Sequence, residues 1–203
     1  MFAFKWGRYK DKVNLQVSDY IEDAPDIVLQ QFLEGTVGYV TNTKKQSFGQ
    51  EYMDYMTSDE FIISKRPLFM RRTKQITRSD IGTHRNLFDS VQRLLDSGLL
   101  TEKDIDNSVF TWSTGVNTTR MGYCFQLFRV VMISAIFDIP DVDEQLLDFV
   151  VYHECLHLRQ GYVPFDHNPH NKQFKEWMRL FPNHDEMEKK LLQISKIIKS
   201  KKK

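Results

Sequence analysis

The sequence predicts an α+β fold in which one buried helix lies beside a small antiparallel sheet. Three observations carry that reading. Leu146, Leu147, Phe149, Val150 and Val151 are apolar nearly all round the first turns of one segment, as in a helix buried on every side. Residues 109–114, 118–126 and 129–135 read as short strands, the first two joined through a Gly115-Val116-Asn117 turn as a hairpin. Apolar stripes at helical spacing precede and follow this group.

The buried helix is bounded by its own signals. Asp141 and Glu144 form a capping box after Pro140, and Gly161 supplies the stop. Within it lies Tyr152-His153-Glu154-Cys155-Leu156-His157, an HExxH stretch. Positions i and i+4 of a helix share one face, so the imidazoles of His153 and His157 can reach one metal ion. Glu154 projects about 100° away and is better placed to handle a water at the metal than to ligate. Zinc suits the pair, because it accepts neutral imidazole nitrogens and its catalytic sites use three protein ligands. Cys155 reads as a small buried apolar residue.

A third ligand should follow, and five of the six histidines lie between His153 and His184. Asn168-Pro169 reads as an N-cap and a first-turn proline. Phe174, Trp177, Met178 and Phe181 then repeat at i, i+3, i+4 and i+7 before Pro182. His170 would sit in the first turn of that packed helix, His167 in the loop before it and His184 beyond it. His170 ranks first because ligands held by secondary structure are the more accurately positioned.

The run 149–157, followed by His170-Asn171-Lys172-Gln173-Phe174 and Phe181-Pro182, resembles the SprT-like and YgjP-like zinc metallopeptidases, including the small minigluzincins. The resemblance extends upstream to Trp112, Arg120, Gly122 and the run 129–134, covering about residues 108–185. It implies a zincin-like fold, zinc held by His153, His157 and His170, and peptide-bond hydrolysis with Glu154 as general base. It also implies that 130–134 is the edge strand that pairs with an extended substrate. The interval from His157 to His170 is longer than in the bacterial YgjP-like proteins, and His167 lies inside it.

Upstream, residues 2–17 alternate weakly (Phe2, Phe4, Trp6, then Val13, Leu15, Val17) and read as one or two strands. Asp23-Ala24-Pro25 opens a helix to about Val40, with Ile27, Val28, Phe32 and Val37 as its apolar set. Phe48, Tyr52 and Tyr55 read as core aromatics. A further helix runs from His84 to Asp96 and closes at Gly98. Residues 1–107 thus read as a mostly helical extension packed on the 108–203 part. The last amphipathic helix is capped by Asn183 and Glu186, carries Met187, Leu191, Ile194 and Ile198, and ends in a lysine tail.

Composition narrows the partners. A net charge of +1 gives the molecule as a whole no strong pull toward nucleic acid or anionic membrane. Basic residues do cluster at 65–78 and 199–203; read plainly they are solvated flanks, and read as nucleic-acid contacts they would suit the action on protein–DNA crosslinks that the resemblance to SprT-like proteases implies. Neither an apolar leader nor an 18-residue apolar run is present, and two cysteines make no disulfide framework, so a cytoplasmic chain is expected. The expected activity is a zinc metallopeptidase on polypeptide substrates. A zinc-binding module without activity is the alternative, closed by a fourth ligand such as Cys155 or the spare histidine. Tyr162, His167 and His184 are the candidates for stabilising an oxyanion.

Overall fold

The computed structural model describes residues 4–9, 12–41 and 48–201. Phe2 of the expected first strand and Lys202 and Lys203 of the tail lie outside them. The chain divides into two compact units, residues 1–69 and 70–203.

The first unit opens with an antiparallel hairpin, β1 (Phe4–Tyr9) and β2 (Lys12–Val17), in the register Phe4 opposite Val17. Helices α1 (Asp26–Val40), α2 (Gln50–Thr57) and α3 (Asp59–Thr73) follow, α3 running across the unit boundary. Val28 and Phe32 of α1 are buried, whereas Ile27 and Val37 of its expected stripe are exposed at 46% and 43%. Phe32 packs on Tyr52 with ring centroids 5.7 Å apart, and Tyr52 on Phe48 at 5.0 Å, so these aromatics are core.

The second unit is mixed α+β. Its helices are α4 (Leu87–Asp96), α5 (Glu102–Ile105), α6 (Glu144–Gln160), α7 (Lys172–Met178) and α8 (His184–Lys201). Strands β3 (Val109–Trp112), β4 (Gly122–Phe125) and β5 (Val130–Ile133) form a sheet of order β3-β5-β4. β3 runs parallel to β5 and β4 antiparallel to it. The sheet is therefore mixed, not antiparallel, and the expected hairpin across Gly115 is replaced by two strands flanking a third.

The placement of β5 corrects a second expectation. Val130, Val131 and Ile133 are each 0% exposed, so this strand is buried on both faces and belongs in the centre. All four residues of β4 are only half-buried, as suits an edge. The outer side of β3 is covered instead: Arg78 N–H donates to the Trp112 carbonyl and Trp112 N–H to that of Ser79, both at 2.9 Å.

Helix α6 is the axis of the second unit's core. Leu146, Leu147, Phe149, Val150, Val151, Tyr152, Cys155, Leu156 and Leu158 are all buried, which is why no hydrophilic face is legible in its sequence. Asp143, rather than Asp141, caps it, accepting from Gln145 N–H at 3.0 Å. Gly161 ends it at φ 77°, a left-handed conformation that glycine reaches without penalty. Helix α4 packs on α6 through Leu87, Val91 and Leu94, capped by Asn86 in place of an earlier start at His84. Arg93 grips Asp148 of α6 through two hydrogen bonds of 2.8 and 2.7 Å, and Ser90 adds a third at 2.5 Å.

Helix α7 is tied to α6 at two points. The Tyr152 hydroxyl donates to the Trp177 carbonyl at 2.8 Å, and the Arg159 guanidinium lies 5.4 Å from the Trp177 ring centroid. Phe174, Met178 and Phe181 bury the expected stripe, although the helix itself stops at Met178. On α8, Met187 is fully buried and Leu191 and Ile194 pack at the margin of the core. The side chain of Ile198 lies outside the described residues.

Candidate metal centre

His153 and His157 stand one turn apart on α6 and direct their Nε2 atoms toward His170. The His170 Nε2 lies 3.2 Å from that of His153 and 3.1 Å from that of His157. Three nitrogens held about 2.0–2.1 Å from one tetrahedral zinc would stand about 3.3–3.4 Å apart. Both distances from His170 are close to that value. One Nε2–H on His170 could satisfy only one of the two facing lone pairs, whereas a cation satisfies all three.

His170 reaches this point differently from the sequence expectation. Asn171, not Asn168, caps α7, its side chain accepting from Phe174 N–H at 3.0 Å. His170 is thus the turn residue immediately before the cap. It is positioned by the cap and by Phe174, whose ring centroid lies 4.6 Å from that of His157, 4.9 Å from that of His153 and 4.8 Å from that of His170. A single buried phenyl ring therefore forms the floor beneath all three imidazoles.

Gln160 was not singled out in the sequence. Its Oε1 lies 3.2 Å from Nδ1 of His157, an acceptor that favours the tautomer with the hydrogen on Nδ1 and a lone pair on Nε2. The i, i+3 spacing on a helix was the signal that could have found it. Burial pushes the imidazole of His153 down to about 3 and that of His157 to about 4, and lowers that of His170 as well. All three are neutral near pH 7, the form that ligates.

Glu154 points elsewhere, as its helical position demands. It is 6% exposed and, with His153, lines a cleft whose opposite wall is Thr118, Arg120 and Gly122. Burial pushes its carboxyl up to about 8, against the opposing pull of the Arg120 charge. Gly122 makes room for it, since any Cβ there would collide with the Glu154 side chain. A second cleft, lined by Phe149, His153, His170, Phe174 and His184, opens on the α7–α8 side. Of the three residues suggested for an oxyanion, His184 alone lines either cleft.

Among the described residues these three histidines form the group without a fourth His, Cys, Asp or Glu ligand atom. His167 is exposed and outside it, and Cys155 is fully buried with its thiol pushed far up by burial. A second group, His184, Asp185 and Glu188, lies at the start of α8, but there the imidazole already faces Asp185 at 3.0 Å and Glu188 at 3.6 Å. The positive end of a helix dipole is also a poor place for a cation.

The basic cluster of 65–78 is largely engaged within the chain. Lys65 pairs with Asp23 at 2.6 Å, and Arg78 donates to the Thr114 carbonyl at 2.5 Å. Arg66 and Arg72 also have partners. Among the described residues, no helix is long and apolar enough to cross a membrane.

No family model, curated protein or solved structure matches the chain.

Proposed function

We propose that the chain is a zinc-dependent peptidase with His153, His157 and His170 as ligands and Glu154 as general base. The observation that carries this is the convergence of His170 Nε2 on those of His153, at 3.2 Å, and His157, at 3.1 Å, with no fourth protein ligand in the group. An open fourth position is the difference between a catalytic and a structural zinc site. It argues for an enzyme over a closed binding module.

Bound zinc would supply a Lewis acid that lowers the pKa of water and polarises a carbonyl. The chain's own residues supply the rest. Gln160 holds His157 in the ligating tautomer, and Phe174 fixes the planes of all three rings. Glu154 accepts a proton from the attacking water at its carboxylate and returns it to the leaving amine. Burial raises the affinity of that carboxylate for the proton it takes up. Strand β4, the edge of the sheet beside α6, is the strand to which an extended peptide would add.

The test is elemental analysis of tag-free protein beside an unfolded-casein digestion assay. One zinc per chain with cleavage is the expected result. Glu154→Gln should keep the zinc and lose the cleavage by at least a hundredfold, the usual contribution of a positioned base. A mutant that retains its rate, or a parent that takes up no zinc, would overturn the reading.

A further inference from the structure

We propose that Arg120 binds a substrate carboxylate in the cleft beside Glu154. The inference rests on the peptidase reading and names the chemistry its cleft selects.

Arg120 is held in place by an organised loop. The Asn117 side chain accepts from the N–H groups of Thr119 and Arg120 at 2.9 and 2.8 Å. Asn117 itself is fastened to Ser134, which is 3% exposed: its N–H donates to the Ser134 hydroxyl at 2.9 Å, and its carbonyl accepts from that hydroxyl at 3.0 Å. Ser134 N–H also donates to the Met121 carbonyl at 2.8 Å, so the backbone on both sides of Arg120 is tied to the end of the central strand. The guanidinium then lies 4.9 Å from the Tyr123 ring centroid.

Beyond the Tyr123 ring, that guanidinium has no carboxylate partner among the described residues. Among the described residues it makes no ion pair, and Glu154, in the same cleft, is not within salt-bridge distance. Five N–H donors in a rigid fork match a carboxylate in two parallel hydrogen bonds. The facing wall of Phe149, Val150 and Leu191 is apolar, while Arg120 itself is exposed at the rim of the cleft. A substrate whose chain passes His153 and Glu154 would therefore present one carboxylate to Arg120. It comes either from an acidic side chain or from the chain end.

The two sources separate in one experiment. Zinc-loaded Glu154→Gln protein is titrated calorimetrically with three otherwise identical peptides. The first carries a glutamate and an amidated end, the second a neutral side chain and a free carboxyl end, and the third is neutral and amidated. One of the first two should bind roughly ten- to a hundredfold tighter than the third, the usual worth of hydrogen bonds to a charged group. Arg120→Ala should erase that ratio, Arg120→Lys should keep part of it, and Arg120→Glu should reverse it toward a lysine-bearing peptide. Equal binding of all three peptides, or a ratio that survives Arg120→Ala, would overturn the proposal. An Arg120-dependent ratio in a chain that cleaves nothing would count against the peptidase reading alone. Cleavage without such a ratio would count against the role of Arg120 alone.

Discussion

Gly122 of β4 faces Glu154 of α6 so closely that a Cβ in its place would stand 2.7 Å from the Glu154 Cγ and 2.8 Å from its Cδ. Its φ is not positive, so close approach and not backbone conformation demands glycine here. Gly122→Ala should displace the buried Glu154 arm. Overpacking of this kind costs about 1–3 kcal/mol. Thermal unfolding should register that loss, cleavage should fall far more than stability, and zinc content should stay at the parent level.

The ligand set makes opposite predictions for two neighbouring histidines. His170→Ala removes one of three converging nitrogens and should strip the zinc under mild chelation, while His167→Ala should leave the metal in place. Zinc per chain after dialysis against a weak chelator decides between them.

Gln160→Leu should weaken zinc binding without touching a ligand. The Nδ1 of His157 would lose its acceptor at 3.2 Å, and loss of such partners commonly costs ten- to a hundredfold in metal affinity. Competition against a chromogenic zinc indicator measures it. An unchanged affinity would mean the contact does not orient the ring.

Acid stability should report on Asp104 of α5. Burial would raise its pKa, but two 2.8 Å hydrogen bonds from Arg159, with the Thr101 N–H and hydroxyl, outweigh that and hold it down to about 2. A folded pKa below the unfolded one stabilises the fold above about pH 4. That contribution is lost as pH falls from about 4 toward 2. Asp104→Asn should cost on the order of 1–2 kcal/mol at neutral pH and flatten the acid limb of the stability curve. Urea unfolding at several pH values tests both.

Local signals in the sequence proved legible where one element settles the matter. Spacing alone places His153 and His157 on one face of α6 and turns Glu154 away from them. The α+β character likewise follows from period and composition. What pairs across the chain was not legible. Nothing local to 130–133 distinguishes a central strand from an edge, because its second hydrogen-bonding edge is taken by β3, which pairs parallel to it across a long connection. The segment Asn168-Pro169-His170-Asn171 offers two asparagines able to cap a helix, and only the docking of Phe174 selects the second. Arg159, which joins α5, the Leu99 carbonyl and Trp177, has no signature in its neighbours because all its partners are remote.

The phenyl ring of Phe174 carries a thermodynamic consequence. Because one side chain both seats α7 in the core and packs against all three histidines, metal uptake and the docking of α7 would be a single linked equilibrium. Zinc would act as a clasp for α7, and chelation should raise hydrogen exchange along 170–178 while leaving the buried first turns of α6 protected. Conversely, a substitution that loosens α7 anywhere, even at the distant Tyr152 hydroxyl, should be read out as a weaker grip on the ion.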